Sequence, residues 1–184
     1  HQDNAYLIEG SEDTFQPTAW IPLVDATAEN GTLQIIRGSH KLGRVLPHHL
    51  PKRLGSEKSW YLYIKDEDVS EADIVTCEMK KGSVLWHSNT IVHRSTENYS
   101  DKVRWSVDLR YQRPGEPTGF FEDSELPPMR KSDDPAYRLD WEARIAAGHG
   151  EQDFKKYIKA EDQGFDFAPP DARWLLRWQN QEAV

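Results

Sequence analysis

Cysteine is almost missing from these 184 residues: Cys77 stands alone, and an internal disulfide is therefore excluded. One thiol in a chain of this size also favours a reducing intracellular compartment, cytoplasmic or other. Long apolar runs are missing too. Nothing approaches the roughly 20 residues that span a bilayer, and no signal-peptide pattern is present. There is no initiator Met, so targeting information for the whole polypeptide is not readable. Positive charge is in deficit, with 23 Lys and Arg against 31 Asp and Glu and a net charge of −8. That balance argues against nucleic acid or an anionic membrane as a partner. Acidic residues have a local gap of their own between Asn30 and Ser56, where Arg37, Lys41, Arg44, Lys52 and Arg53 lie with His40, His48 and His49. Such a cluster serves an anionic substrate or is a solvated basic loop.

What the chain does have is aromatic bulk and short β patterns. Seven Trp, seven Tyr and six Phe offset a hydrophobic share of only 37%, because each aromatic buries much area. The length suits one domain with a real core. Strands are expected at 18–24, 32–37, 60–65, 73–79 and 83–87, with Lys81-Gly82 as a turn. Asn30-Gly31 between two apolar runs predicts a hairpin. The clearest strand is 103–112. It alternates Val103, Trp105, Val107, Leu109 and Tyr111 with Arg104, Ser106, Asp108, Arg110 and Gln112. Many short strands with turn punctuation predict a mainly β barrel or sandwich.

Beyond residue 112 the character changes. Prolines and glycines make an irregular connector. Asp133–Gly150 then carries a helix signature, with Tyr137, Trp141 and Ile145 four apart and Gly148 as the stop. Residues 169–181 read as a second helix whose Trp174 and Trp178 pack on the barrel. Residues 1–120 are thus expected to be the core. Residues 121–184 are expected to be a connector and helical extension of the same domain.

The residues that can do chemistry begin at His1-Gln2-Asp3. In an extended segment positions i and i+2 project to one side, so an imidazole and a carboxylate can share one metal ion. Two histidines and a carboxylate with open positions form the facial triad of non-haem iron oxygenases. The third member is His87 or His93. Arg104 offers a planar fork for a carboxylate, and Ser106 lies on the same strand face.

These residues resemble the phytanoyl-CoA dioxygenase family of Fe(II)- and 2-oxoglutarate-dependent oxygenases. The likeness is carried by HQD at 1–3, ENGTLQIIRGSHK at 29–41 and HRSTENYSDKVRWSVDLRYQ at 93–112. It covers about the first 120 residues. In that family an Arg eleven residues after the distal histidine binds 2-oxoglutarate. Arg104 is eleven residues from His93 and seventeen from His87. The resemblance therefore implies His1, Asp3 and His93 as iron ligands, and Arg104 with Ser106 as the cosubstrate anchor. His87 is left in a supporting role.

The fold implied is a distorted double-stranded β-helix with C-terminal helices, its early strands apparently absent from this chain. A preceding part of the same polypeptide is expected as a partner. The activity implied uses Fe(II), 2-oxoglutarate and O2 to hydroxylate a small organic substrate, with release of succinate and CO2. Retention of Asp3 favours hydroxylation over halogenation, in which a small residue replaces the carboxylate. Gln2, Tyr6 and Trp20 flank the metal strand or its neighbour as possible substrate-cavity residues. Two further readings are a non-catalytic metal-binding β-helix module and a copper monooxygenase with an N-terminal His1. The second leaves Asp3 and the His93–Arg104 spacing without a purpose.

Overall fold

A computed structural model describes residues 1–7, 11, 13–50, 62–117 and 127–147. Its strands are β1 (Thr18–Pro22), β2 (Leu33–Ile36), β3 (Ile74–Cys77), β4 (Leu85–His87), β5 (His93–Ser95) and β6 (Ser106–Arg110). They form two antiparallel sheets in the orders β4-β1-β6 and β3-β2-β5. β-branched and aromatic residues dominate β1 and β3, the composition that suits a pleated, half-buried surface. The core lies between the sheets: Trp20 and Leu85 from the first meet Leu33 and Cys77 from the second, with Ala26 and Met79 beside them.

Every connection between consecutive strands except β2–β3 crosses from one sheet to the other, and the β1–β2 crossing corrects the hairpin expected at Asn30-Gly31. β1 and β2 are not paired; each belongs to a different sheet. The turn is real but serves as a crossing. Asn30 Oδ1 accepts from the Thr27 amide at 2.8 Å, and Gly31 takes a φ of 90°. A Cβ on Gly31 would lie 3.1 Å from the Thr96 carbonyl oxygen. Glycine is thus needed both for the backbone angle and for the close approach. Gly82, at φ 80°, turns the chain in the same way between β3 and β4, again from one sheet to the other.

Two other expectations change. Within 60–65 the described residues make a single bridge, His49 with Tyr63, instead of a strand. The helix expected over Asp133–Gly150 is confined, among described residues, to α1 (Trp141–Ala146). The Asp134 carboxylate accepts from the Ala136 amide, and Asp134 O accepts from Tyr137, which closes a turn ahead of the helix. Asp140 is the cap that starts α1, taking the Ala143 amide at 2.9 Å. The second helix at 169–181, Lys52 and Arg53, Gly148 and most of the 121–184 extension lie outside the described residues. Among those described, no helix is long and apolar enough to cross a membrane.

β6 faces the opposite way from an ordinary surface strand. The apolar set of β6 and its flanks is outside: Trp105, just before the strand, is 63% exposed, and Val107, Leu109 and, just after it, Tyr111 are exposed too. The polar set, Arg104, Ser106 and Arg110, reaches partners on the inner side.

Candidate metal and cosubstrate site

The His-x-Asp segment is extended only through Gln2; Asp3 opens a short 3-10 turn, Asp3–Tyr6. This differs from a continuous strand, yet His1 and Asp3 still flank one extended residue and point the same way. His1 is fixed by its backbone. Its nitrogen donates to His93 O at 2.9 Å, and the His93 amide donates to His1 O at 2.9 Å. That reciprocal pair brings the segment alongside β5.

The side chains converge accordingly. Asp3 Oδ1 is 3.4 Å from His1 Nε2 and 3.6 Å from His93 Nε2. One ligand atom from each of His1, Asp3 and His93 lies within 4.8 Å of the other two. The other carboxylate oxygen is occupied by protein: Asp3 Oδ2 accepts from Thr18 Oγ1 at 3.2 Å and Arg110 Nε at 3.1 Å, and Arg110 Nη2 lies 3.0 Å from it in an ion pair. His87 is adjacent, its ring 4.9 Å from that of His93, but it is outside the three-residue group. Its Nδ1 lies 3.2 Å from Ser88 O.

Protonation states suit metal binding. Burial alone would raise the Asp3 pKa. Its contact with His1 and the positive charge around it outweigh burial and hold it well below the usual carboxylate range. Burial pushes His93 down to about 4, helped by the neighbouring His1. His93 is therefore neutral at pH 7, and the Arg110 guanidinium places a positive charge beside Asp3. A neutral imidazole and an ionised carboxylate are the forms a metal ligand must take. Two imidazole nitrogens and a carboxylate oxygen, grouped on one side, fit a ferrous ion with open positions.

Arg104 and Ser106 are brought together as the sequence suggested. Arg104 Nη1 donates to Ser106 Oγ at 2.6 Å, Nη2 to Ser95 Oγ at 3.2 Å and Nε to Gly31 O at 2.9 Å. The guanidinium carbon sits 5.3 Å over the Trp20 ring. Ser95 was not foreseen. Its signal was available, since it lies two residues after His93 and shares that face of β5.

The three residues considered for the cavity separate. Tyr6 packs edge-on to the His1 ring at 5.4 Å, beside the metal group. Trp20 belongs to the core and supports Arg104. Gln2 is fully buried and held by backbone groups on two loops. Its Nε2 donates to Thr90 O at 2.7 Å and Arg44 O at 3.3 Å, and its Oε1 accepts from Leu46 N at 2.8 Å. The Gln2 amide also donates to His48 Nε2 at 3.0 Å. Gln2 thus anchors the segment through backbone groups. The basic cluster divides as well: His48 is buried against Gln2, while Arg37, His40, Lys41 and Arg44 are exposed.

Two antiparallel sheets enclosing this group define a double-stranded β-helix of the iron- and 2-oxoglutarate-dependent oxygenase class. The profile of the family described as phytanoyl-CoA dioxygenase matches residues 1–106, and the chain belongs to that family. A probable phytanoyl-CoA dioxygenase from Caenorhabditis elegans is 32% identical over 111 residues, covering 60% of this chain and 35% of the relative. The human peroxisomal phytanoyl-CoA dioxygenase is 27% identical over 116 residues, covering 60% and 32%. The chain thus spans about a third of the length of these curated relatives. Among solved structures, EvdO2 from Micromonospora carbonacea var. aurantiaca, complexed with 2-oxoglutarate, superposes with a TM-score of 0.52 at 29% identity. The match covers 64% of this chain and 46% of that one. Fe(II) and 2-oxoglutarate are the cofactor and cosubstrate that accompany this family.

Proposed function

We propose that this chain is part of a longer polypeptide that hydroxylates a small organic substrate at the expense of 2-oxoglutarate and O2. His1, Asp3 and His93 hold Fe(II). The observation that carries this is the convergence of their ligand atoms within 4.8 Å. When bound, the iron supplies oxygen activation coupled to decarboxylation of 2-oxoglutarate, which yields succinate and CO2. The chain's own residues bind and orient. Arg104, with Ser106 and Ser95 beside it, presents charge-assisted donors to the far carboxylate of 2-oxoglutarate. Trp20 backs that guanidinium and keeps it in place. Asp3 remains ionised and His93 neutral at working pH, so neither has to lose a proton for metal to bind.

Phytanoyl-CoA, named for the curated relatives, is the first compound to offer as substrate. Exposed Arg37, Lys41 and Arg44 are cations that a CoA phosphate can use. The lone Cys77 supports a reducing compartment. The test is succinate release by the complete polypeptide with Fe(II), 2-oxoglutarate, ascorbate and O2, with and without chelator. Chelator-sensitive succinate is expected. No succinate from protein that binds both iron and 2-oxoglutarate, offered a panel of acyl-CoA and small-molecule substrates, overturns the catalytic reading in favour of a non-catalytic metal-binding module.

A further inference from the structure

On the inner face of the first sheet, Thr18 is paired with His87 on one side and with Arg110 on the other. The row His87–Thr18–Arg110 therefore crosses the sheet at the level of Asp3. Two members of the row touch that carboxylate, and both choose the same oxygen. Thr18 Oγ1 and Arg110 Nε each donate to Oδ2, and Arg110 Nη2 makes an ion pair with the same oxygen at 3.0 Å. Oδ1 is left facing His1 and His93. The two oxygens of Asp3, equivalent in the free side chain, are thus made inequivalent by β1 and β6.

We propose that Arg110, assisted by Thr18, is a positioning residue that reserves Asp3 Oδ1 for the metal and keeps Oδ2 out of its coordination. The inference rests on the reading of His1, Asp3 and His93 as ligands, and adds a residue that this reading does not use. A carboxylate left free on both oxygens can rotate, or can bind an ion through both. Either change lowers the affinity or consumes a position needed by 2-oxoglutarate. Hydrogen bonds to one oxygen oppose both outcomes, and loss of such a partner commonly weakens metal binding tenfold to a hundredfold. Arg110 suits the task because its planar fork places Nε and Nη2 on a single acceptor, which an ammonium cannot reproduce. Thr18 is buried in β1, which fixes the direction of its hydroxyl.

The test is Co(II) titration of the complete polypeptide, followed by the visible ligand-field band, in wild type, Arg110→Gln, Arg110→Lys, Thr18→Val and Asp3→Ala. Thermal unfolding of each metal-free form is recorded beside it. Arg110→Gln is expected to weaken Co(II) at least about tenfold and to shift the band, with Arg110→Lys in between. Thr18→Val should show a smaller loss in the same direction. An unshifted band and unchanged affinity in Arg110→Gln would overturn the positioning role. If Arg110→Gln does not fold, unchanged Co(II) binding in Arg110→Lys and Thr18→Val overturns it equally. Failure of the underlying reading looks different: Asp3→Ala would then bind Co(II) as wild type does.

Discussion

His1 and His93 are 92 positions apart and exchange a pair of backbone hydrogen bonds, each main-chain nitrogen donating to the other's carbonyl. The separation of the two imidazoles is thereby set by main chain before any ion arrives. His87, on β4 in the other sheet, has no such tie to His1. His93→Ala should therefore abolish Fe(II) binding and turnover, whereas His87→Ala should leave binding within a few-fold of wild type. Iron titration monitored by 2-oxoglutarate charge-transfer absorption would measure both. The reverse order of severity would exchange the two roles.

Arg104 donates to Ser106, Ser95 and Gly31 and touches none of the metal group. Its loss should act on the cosubstrate and spare the metal. Charge-assisted hydrogen bonds contribute about 1.5–3 kcal/mol, so Arg104→Ala should raise the 2-oxoglutarate concentration for half-maximal succinate release roughly tenfold to a hundredfold. Co(II) affinity should be preserved. Identical 2-oxoglutarate responses in variant and wild type would remove Arg104 from the anchor.

His93 titrates at about 4 in the fold against an ordinary 6.5, because burial penalises its charged form. Between those values the unfolded chain binds more protons than the folded one. Stability without metal is therefore undiminished above pH 6.5 and declines as pH falls, with roughly 3 kcal/mol lost by pH 4. The depressed Asp3 contributes the loss below that range, since its stabilisation disappears only as pH falls beneath the usual carboxylate value. Urea unfolding of the metal-free polypeptide at pH 7, 5.5 and 4.5 measures the slope, and His93→Gln should flatten it. Equal slopes in the two proteins would contradict the buried neutral histidine.

Gln2 spends its amide on Arg44 O, Thr90 O and Leu46 N. Truncation leaves buried backbone groups unsatisfied, so Gln2→Ala should cost about 2–4 kcal/mol in urea unfolding. A cavity-lining residue behaves otherwise, leaving stability nearly intact and changing only the apparent substrate affinity.

The convergence of His1 and Asp3 and the contact of Arg104 with Ser106 were legible because each is local in sequence: His-x-Asp needs one extended residue between its side chains, and Arg104-x-Ser106 needs extended backbone. Partners supplied by other strands left no such mark. Thr18 reaches Asp3 through β1, and Arg110 looks like one more surface charge until β6 is seen to turn its polar side inward. Asn30-Gly31 misled for a related reason. A tight turn specifies local angles, not which sheet the chain enters next. Gln2 and Trp20 lie beside the His1–Asp3 segment and Arg104, but proximity in sequence does not say which way a side chain points.

The alternation of β6 gives the segment between His93 and Arg104 a kind of parity. Even-numbered positions carry the fork and the hydroxyl, while odd-numbered positions carry Trp105, Val107, Leu109 and Tyr111. Deleting one residue from the loop at 98–102 would exchange the two sets wholesale, presenting indole where guanidinium belongs. Removing two would restore the order but shift it along the barrel. The eleven-residue interval is therefore a constraint on oddness as much as on length, and length variants of that loop should lose function in an alternating pattern.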